Sequence, residues 1–455
     1  MQPVLTIAES GRLDREAGDR IDQLMEYAGW ALAGAAIELG AGYGSRVSVL
    51  AGPGNNGGDG WVAARRLADR GCLVTVHPLT DPKTAVATRA RDRAVRSGVD
   101  IAGLEDEVRP ELVIDALFGS GISRELPREV QRWIDLDVPV VAAHVPSGLD
   151  PDTGTPTGRV FRADVTVAFH ALSPGHLLGR GPDLCGRVTV ADIGLAGGDP
   201  LWQVFEDGDA VLPVRERSVH KWSAGSVLVV GGAPGMVGAA VMAAKSALRF
   251  GAGAVGLAVH PETAQAAAIL APEILSYPQD ELPDRFDVIL AGPGIGGDDV
   301  LESVLAHRGP VVLDADVLTA RLPGLLEKRA APTVLTPHAG ELTRLTGGDH
   351  GWEAADGLAR RNGAIVVLKG NPTFVCDGGT PIVVTSNGPE LASIGTGDVL
   401  AGMVAALLAR GMEAKTAAAT AAHVHGRAGS ALACERTVTA DALVEEIVKH
   451  AGVTA

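Results

Sequence analysis

Residues 46–71 read RVSVLAGPGNNGGDGWVAARRLADRG, in which an apolar run, a glycine-rich segment and an amphipathic segment follow one another. The apolar run at residues 46–52 is typical of a strand that is buried on both faces. The segment at residues 58–71 has apolar residues at helical spacing. A buried strand that leads through glycines into a helix is the repeating unit of a parallel α/β sheet.

The same alternation extends outward from this stretch on both sides. It predicts a mainly parallel sheet with right-handed crossovers, preceded by a helical N-terminal segment. The further predicted strands lie at residues 72–79, 111–119, 138–148, 163–169 and 186–194. The further predicted helices lie at residues 12–39 and 83–98.

The periodic pattern stops at residues 194–218, where glycine, proline and charged residues replace it. We therefore predict a domain boundary near residue 205, which gives an α/β domain at 1–205 and a second one at 206–455. The second domain has predicted helices that include residues 235–251 and 396–411. Its predicted strands lie at residues 225–232, 253–259, 287–294, 310–316, 331–338, 364–370 and 372–378.

Composition excludes several classes of protein. The 455 residues carry a formal net charge of −16, which argues against a general nucleic-acid binder. The N-terminus lacks a basic and apolar signal region, and the apolar stretches are too short to cross a bilayer. The four cysteines are scattered without a CxxC pair, which is typical of reduced thiols. We expect a cytoplasmic protein that binds neither nucleic acid nor membrane and forms a homo-oligomer.

Three glycine-rich loops follow predicted strands of the first domain, at residues 52–60, 115–125 and 144–150. In open parallel sheets, ligands bind beyond the carboxyl ends of the strands, so these loops predict one composed site. Each loop taken alone is equally compatible with an ordinary tight turn.

The first of these loops contains GPGNNG, which has the spacing of the dinucleotide fingerprint. The acidic residue that the fingerprint expects at the end of the next strand is absent. The loop instead offers Asn55, Asn56 and Asp59, whose oxygen atoms suit an alkali cation or a polar ring. The residues alone leave these two ligands open.

In the second domain, SIGTGDVLAG at residues 393–402 predicts a phosphoryl-transfer site. Free backbone N–H groups at a helix start can hold phosphate oxygens, while Asp398 takes the proton of an attacking hydroxyl. The alternative is an ordinary aspartate in a first helical turn. Lys369 begins KGNPT at a strand end, where its ammonium can meet a nucleotide phosphate, and His338 lies in TPHAGE after another strand.

Four motifs of the first domain, LMEYAG, GPGNNGGDG, DALFGSG and VPSGLD, resemble the NAD(P)H-hydrate epimerase family over roughly residues 8–195. The resemblance implies a Rossmann-like fold and a potassium ion held by Asn56, Asp115 and Ser147. It also implies that the hydrated nicotinamide dinucleotide lies across two segments. Their residues are Asn55, Asn56, Gly57, Gly58, Asp59, Gly119, Ser120, Gly121, Ile122, Ser123, Arg124 and Glu125.

One position departs from the epimerase pattern. His144 stands where the family usually has aspartate, two residues before PSG, and the family's aspartate is the expected acid/base group of epimerisation. Histidine can exchange a proton near neutral pH, but a protonated ring would repel a neighbouring cation. His144 is therefore either a working catalytic variant or the cause of an impaired epimerase.

The second domain resembles the ADP-dependent NAD(P)H-hydrate dehydratase family over about residues 213–450, through HKWSAGSVLVVGG, GPGIG, DAD, TPHAGE, KGNPT and GTGDVLAG. The resemblance implies a ribokinase-like fold and magnesium bound with ADP. It assigns Lys369, Gly370, Asn371, Pro372, Thr373 and Gly397 to the nucleotide, and Ala240, Gly296, His338 and Asp398 to the hydrate. Trp222 stands where the family commonly has glycine, and we expect it to narrow the site entrance.

Together the two resemblances imply metabolite repair of hydrated NADH and NADPH. The second domain would dehydrate the S-hydrate with ADP and release AMP and phosphate, and the first would interconvert the R- and S-hydrates. The alternative is a ribokinase-like small-molecule kinase fused to a non-catalytic nucleotide-binding module, since GxGD is shared across that fold.

Overall fold

The computed structural model describes residues 1–119, 125–215, 217–327 and 329–450. It divides into two compact units, Gln2–Leu201 and Trp202–Ala455, the second of which also includes Met1. Among the described residues, no helix combines the length and the apolar character that crossing a membrane requires.

The first unit contains a seven-stranded sheet in the order β4-β3-β2-β5-β6-β7-β8, and every neighbouring pair is parallel. The strands of this unit are β1 (Gln2–Val4), β2 (Arg46–Ala51), β3 (Leu73–Pro78), β4 (Asp100–Ile101), β5 (Leu112–Ala116), β6 (Val140–Ala143), β7 (Val165–Phe169) and β8 (Arg187–Ala191). Its helices are α1 (Ile7–Glu16), α2 (Ile21–Glu38), α3 (Asn55–Ala68), α4 (Ala85–Arg96), α5 (Arg128–Ile134) and α6 (Gly181–Leu184). The predicted parallel sheet is confirmed.

The site of the first unit is set by the point at which the strand order reverses. The chain runs from β2 to β3 on one side and continues from β5 to β6 on the other, so the loops after β2 and β5 diverge. Such a reversal opens a crevice beyond the carboxyl ends of the strands. Leu50 pairs with Asp115, which places Asp115 at the carboxyl ends of the strands, next to this crevice.

The glycine-rich segment differs from its prediction as a loop. Helix α3 begins at Asn55, so the residues Asn55–Gly60 form its first turns and Gly54 is the extended N-cap. A side-chain carbon on Gly52 would overlap the carbonyl oxygen of Leu117, and one on Gly57 would overlap that of Gly52. The glycines therefore allow close backbone packing beneath the helix start rather than a long open loop.

The second unit contains a sheet in the order β9-β18-β17-β16-β15-β14-β13-β10-β11-β12. Its strands are β9 (Trp202–Val204), β10 (Ser226–Val230), β11 (Ala254–Val259), β12 (Leu275–Pro278), β13 (Val288–Ala291), β14 (Val311–Leu313), β15 (Thr333–Leu335), β16 (Ile365–Leu368), β17 (Thr373–Cys376) and β18 (Ile382–Val384). Its helices are α7 (Val237–Arg249), α8 (Ala264–Leu270), α9 (Leu301–Leu305), α10 (Leu322–Leu326), α11 (Ala339–Thr346), α12 (Trp352–Asn362), α13 (Thr396–Ala409), α14 (Ala414–Ala433) and α15 (Ala440–His450).

The sheet of this unit is parallel except at β17, which is antiparallel to both β16 and β18. Its strand order reverses between β10 and β13, and the loops after β13, β14, β15 and β16 leave from neighbouring strands at the same edge. The sequence motifs AGPGIG, DAD, TPHAGE and KGNPT occupy these loops.

The expectation that Trp222 narrows the site entrance is wrong. Trp222 precedes β10 and so lies at the amino end of that strand, whereas the motif loops follow the carboxyl ends. Its ring packs against Phe286 and lies 4.3 Å from the guanidinium carbon of Arg285. The Trp222 ring therefore packs at the amino ends of the strands, away from the motif loops.

Candidate functional site

A cavity of about 410 Å³ lies at the strand-order reversal of the first unit. It is lined by α1, α2, the start of α3 and the loops after β5, β6 and β7. Five of the predicted site residues line it, namely Asn55, Asn56, Asp59, Gly119 and His144. The structure therefore brings together residues that are up to 89 positions apart in sequence, from Asn55 to His144.

The three predicted cation ligands come from neighbouring strands of this edge. Asp115 is completely buried at the end of β5, and its two carboxylate oxygens accept from the Ser147 hydroxyl at 2.6 Å and the Ser147 amide at 2.7 Å. Burial raises the pKa of Asp115 to about 6 despite these hydrogen bonds. A buried carboxylate of this kind is stabilised by a cation.

Asn56 supplies the second observation in favour of a polar ligand. Its amide nitrogen and its amide oxygen are both buried, and neither has a hydrogen-bond partner among the described residues. A side-chain carbon on Gly119 would lie 3.0 Å from that oxygen, so glycine keeps the space beside it open. Buried polar atoms are almost always satisfied, and a bound cation or substrate would satisfy these.

The other predicted hydrate residues are placed differently. Gly57 and Gly58 are buried residues of the first turn of α3. Glu125 is described but does not line the cavity. The predicted residues Ser120, Gly121, Ile122, Ser123 and Arg124 lie outside the described residues.

His144 follows β6 with a left-handed backbone, φ 61°, which asparagine, aspartate and histidine tolerate better than most residues. Its ring lies edge-on to Phe169, with the ring centres 4.6 Å apart. Burial, and then the neighbouring His176, lower the pKa of His144 to about 4. The ring is therefore neutral at neutral pH and does not repel a cation.

His176 holds the backbone of His144 and was not predicted. Its Nε2–H donates to the His144 carbonyl at 2.6 Å, and its Nδ1 accepts from the Ser173 amide at 2.9 Å. Asp14, on α1, was not predicted either, and it lines the cavity. Neither lies in a glycine-rich motif, and this is why the pattern gave no signal for them.

The second unit places Asp398 in the first turn of α13, after Gly395 in a left-handed N-cap position. Burial raises the pKa of Asp398 to about 7, and the negative charge of Asp314 adds to this effect. A carboxyl group that titrates near neutral pH is suited to take a proton and return it. The predicted base therefore lies beside the free backbone N–H groups of a helix start.

Lys369 is surrounded by carboxylates. Its ammonium nitrogen is 2.7 Å from Asp314 Oδ1 and 3.8 Å from Glu341 Oε2. Burial alone would lower the pKa of Lys369, but these two carboxylates outweigh it and raise the pKa. A side-chain carbon on Gly397 would lie 3.3 Å from the ammonium nitrogen, so Lys369 reaches the start of α13.

The other residues that were predicted to bind the nucleotide form a tight loop after β16. The Thr373 hydroxyl donates to the Gly370 carbonyl at 3.0 Å, and Asn387 Nδ2 donates to Thr373 Oγ1 at 2.5 Å. Asn387 Oδ1 is buried and has no partner among the described residues. The predicted Asn371 and Pro372 lie at the tip of the same loop.

The predicted hydrate residues of this unit have different degrees of access. His338 is exposed and caps α11, because its Nδ1 accepts from the Gly340 amide at 3.0 Å. Gly296 has φ 80°, and its amide donates to Asp316 Oδ2 at 3.0 Å. Ala240 is completely buried, and its Cβ packs against Gly231 and Gly232 of the loop after β10.

Within the described parts of the chain, no three histidine, cysteine or acidic side chains are grouped so that they could hold a metal ion. Magnesium commonly binds through phosphates with few protein ligands. The residues present therefore fit an ion that arrives with its nucleotide, and they do not form a dedicated protein-built magnesium site.

Comparison with known proteins follows the same division. The family described as NAD(P)H-hydrate dehydratase matches residues 227–449, and the family described as YjeF-related protein N-terminus matches residues 21–175. The bifunctional NAD(P)H-hydrate repair enzyme Nnr of Salinibacter ruber is 37% identical over 94% of this chain and 91% of its own. The chain belongs to the bifunctional NAD(P)H-hydrate repair enzyme family.

A second relative agrees with this membership, and a solved structure agrees with the fold. The Nnr enzyme of Mycobacterium tuberculosis is 38% identical over 83% of this chain and 81% of its own. A crystal structure of a ribokinase-like superfamily protein from Enterococcus faecalis covers 56% of this chain and 97% of its own, with 24% identity and a TM-score of 0.52. The predicted fold class and family are confirmed, and the kinase alternative is not favoured.

Proposed function

We propose that the second unit dehydrates hydrated NADH and NADPH with ADP and that Asp398 is its general base. The observation that carries this proposal is the position of Asp398, whose pKa is about 7, in the first turn of α13. The backbone N–H groups of that turn would hold the anionic oxygens of the migrating phosphoryl group. Magnesium, bound with ADP, would neutralise phosphate charge.

The hydroxyl of the hydrate is a poor leaving group, and phosphorylation by ADP would convert it into a good one. Asp398 takes the proton of the hydrate hydroxyl, the hydroxyl oxygen attacks the terminal phosphorus of ADP, and AMP departs. The phosphate ester formed on the ring then leaves as inorganic phosphate, and a ring proton is lost to restore the double bond. His338 and Gly296 would contact the hydrate, and the position of Ala240 would act through packing.

An assay of purified protein on S-hydrate with ADP tests this reaction. We expect NADH or NADPH to appear in equal amount with AMP and phosphate. A stable phosphorylated product, with no reduced cofactor formed, would instead support a small-molecule kinase.

We expect Lys369→Ala to raise the apparent KM for ADP about tenfold to a hundredfold. A hydrogen bond to a charged group contributes about 1.5–3 kcal/mol, and tenfold corresponds to about 1.4 kcal/mol. Steady-state kinetics with varied ADP measures the change. Lys415→Ala is the matched control, since the Lys415 ammonium is also paired with a carboxylate, 2.8 Å from Asp377 Oδ1. An unchanged KM for ADP in Lys369→Ala would remove this lysine from the nucleotide site.

We further propose that the first unit interconverts the R- and S-hydrates and binds potassium through Asn56, Asp115 and Ser147. The unpartnered amide atoms of Asn56 and the buried carboxyl of Asp115 support a cation at this edge. His144 would exchange a proton with the substrate from its neutral state, and the start of α3 would hold the hydrate.

Crystals soaked in rubidium test the potassium site. We expect an anomalous peak between the three side chains in the wild-type protein and no peak in Asn56→Leu, because leucine offers no oxygen. Replacing rubidium with sodium controls for background. A wild-type map without that peak, in crystals that diffract equally well, contradicts the ion.

A further inference from the structure

Asp59 is a largely buried residue whose carboxyl group faces the cavity without a partner among the described residues. Asp59 is 6% exposed on α3, and its side chain has no hydrogen bond or ion pair with any residue in the described ranges. It nevertheless lines the cavity of the first unit. An ionised carboxylate in such a place is costly, whereas a neutral carboxyl can donate a hydrogen bond to a ligand.

The surroundings of Asp59 favour its neutral form. Burial, and then the charge of Asp14, raise the pKa of Asp59 well above its usual range. Asp14 lines the same cavity from α1, and burial raises its own pKa, while Arg15 and His170 oppose that effect. Two acidic groups in one cavity do not ionise together readily.

His144 lines the same cavity, and its neutral ring is a base, whereas the neutral carboxyl of Asp59 is an acid. It is neutral because burial lowers its pKa, so one ring nitrogen is free to accept a proton and the ring is a base instead of an acid. Two groups whose environments push their pKa values apart identify an acid and a base. The cavity therefore contains one candidate of each kind.

We propose that Asp59 is the acid that protonates the departing hydroxyl during epimerisation, that His144 is the base, and that Asp14 is a positioning residue for Asp59. This inference rests on the proposed epimerase function of the first unit. The acid, Asp59, lies near the start of α3, and the base, His144, directly follows β6.

Epimerisation would proceed by loss and re-addition of water at the hydrated carbon. The hydrated carbon is bonded to the ring nitrogen, whose lone pair forms a C=N bond as the C–O bond breaks with its electrons on oxygen. Asp59 gives its proton to that oxygen, and water leaves. Water then adds to the opposite face of the same carbon, the C=N electrons return to nitrogen, and His144 takes the proton. Solvent returns a proton from His144 to Asp59.

Asp59→Asn keeps the shape of the side chain and removes its acidic proton. We expect R-hydrate consumption, measured with an excess of separate dehydratase, to fall about 10²–10⁴-fold, the usual contribution of a general acid. Dehydration of S-hydrate by the same variant and its Tm should stay unchanged. Asp69→Asn is the matched control, because Asp69 is exposed at the end of the same helix.

The pH profile separates this role from a structural one. Epimerisation should be lost as pH rises, when Asp59 gives up its proton, and Asp14→Asn should move that loss to lower pH because a nearby negative charge is removed. Epimerisation by Asp59→Asn within a few-fold of wild type, or an unmoved profile in Asp14→Asn, would overturn the inference. A wild-type protein that does not epimerise would overturn the proposed epimerase function together with it.

Discussion

Asp398→Asn is expected to lower dehydratase turnover about 10²–10⁴-fold, because asparagine keeps the side-chain shape and cannot take a proton. ADP should still bind, since the backbone N–H groups of the first turn of α13 remain in place. Turnover is measured with S-hydrate and ADP, and ADP binding is measured separately by calorimetry.

The pH dependence of the wild-type rate gives a second check on Asp398. The base must be ionised, and its pKa in the unliganded protein is about 7, so kcat/KM for the S-hydrate should fall as pH decreases through about 7. Asp441→Asn is the matched control, because Asp441 is an exposed aspartate in the first turn of α15. If Asp398→Asn turns over at nearly the wild-type rate, Asp398 is only a first-turn residue and the assignment is wrong.

His144→Asn is expected to lower epimerisation about 10²–10⁴-fold while dehydration continues. Asparagine tolerates the left-handed backbone at this position, φ 61°, so the loss would come from chemistry and not from strain. The assay follows R-hydrate in the presence of excess dehydratase. The dehydration of S-hydrate by the same preparation reports whether the protein is folded.

His144→Asp resolves the question that the sequence left open. Aspartate also tolerates this backbone and restores a carboxylate to the position. If His144 is a working base, both the wild type and His144→Asp should epimerise, and His144→Asn should not. A large gain in His144→Asp over a slow wild type would mean that histidine impairs the site. Equal rates in all three proteins would exclude position 144 from the chemistry.

Strong periodicity explains how much of the fold could be predicted. The buried runs that became β2 and β5 consist of residues that favour strands, and the helix α4 matches its predicted range closely. Short strands carry too few residues for a pattern, and so β9, β12 and β18, of three or four residues each, were missed. The start of α3 was missed because glycines disfavour helix, and backbone packing overrides that preference here.

Site residues could be predicted when they lie in motifs that follow strands. They could not be predicted when only the packing of a distant helix or loop brings them to the site. Asn56, Asp115 and His144 lie in such motifs, and the parallel register brings their strands together. Asp14 lies on α1, and its place in the cavity depends on how that helix packs. The partners of Lys369 were also hidden, because Asp314 and Glu341 are on other loops and only the folded sheet brings them close.

The residues that line the cavity of the first unit all come from one continuous stretch of the chain, between Ser10 and Leu195. The carboxylates around Lys369 all come from the other stretch. Natural selection can therefore act on each centre separately. A substitution at position 144 changes a residue of one centre and leaves the residues of the other as they are.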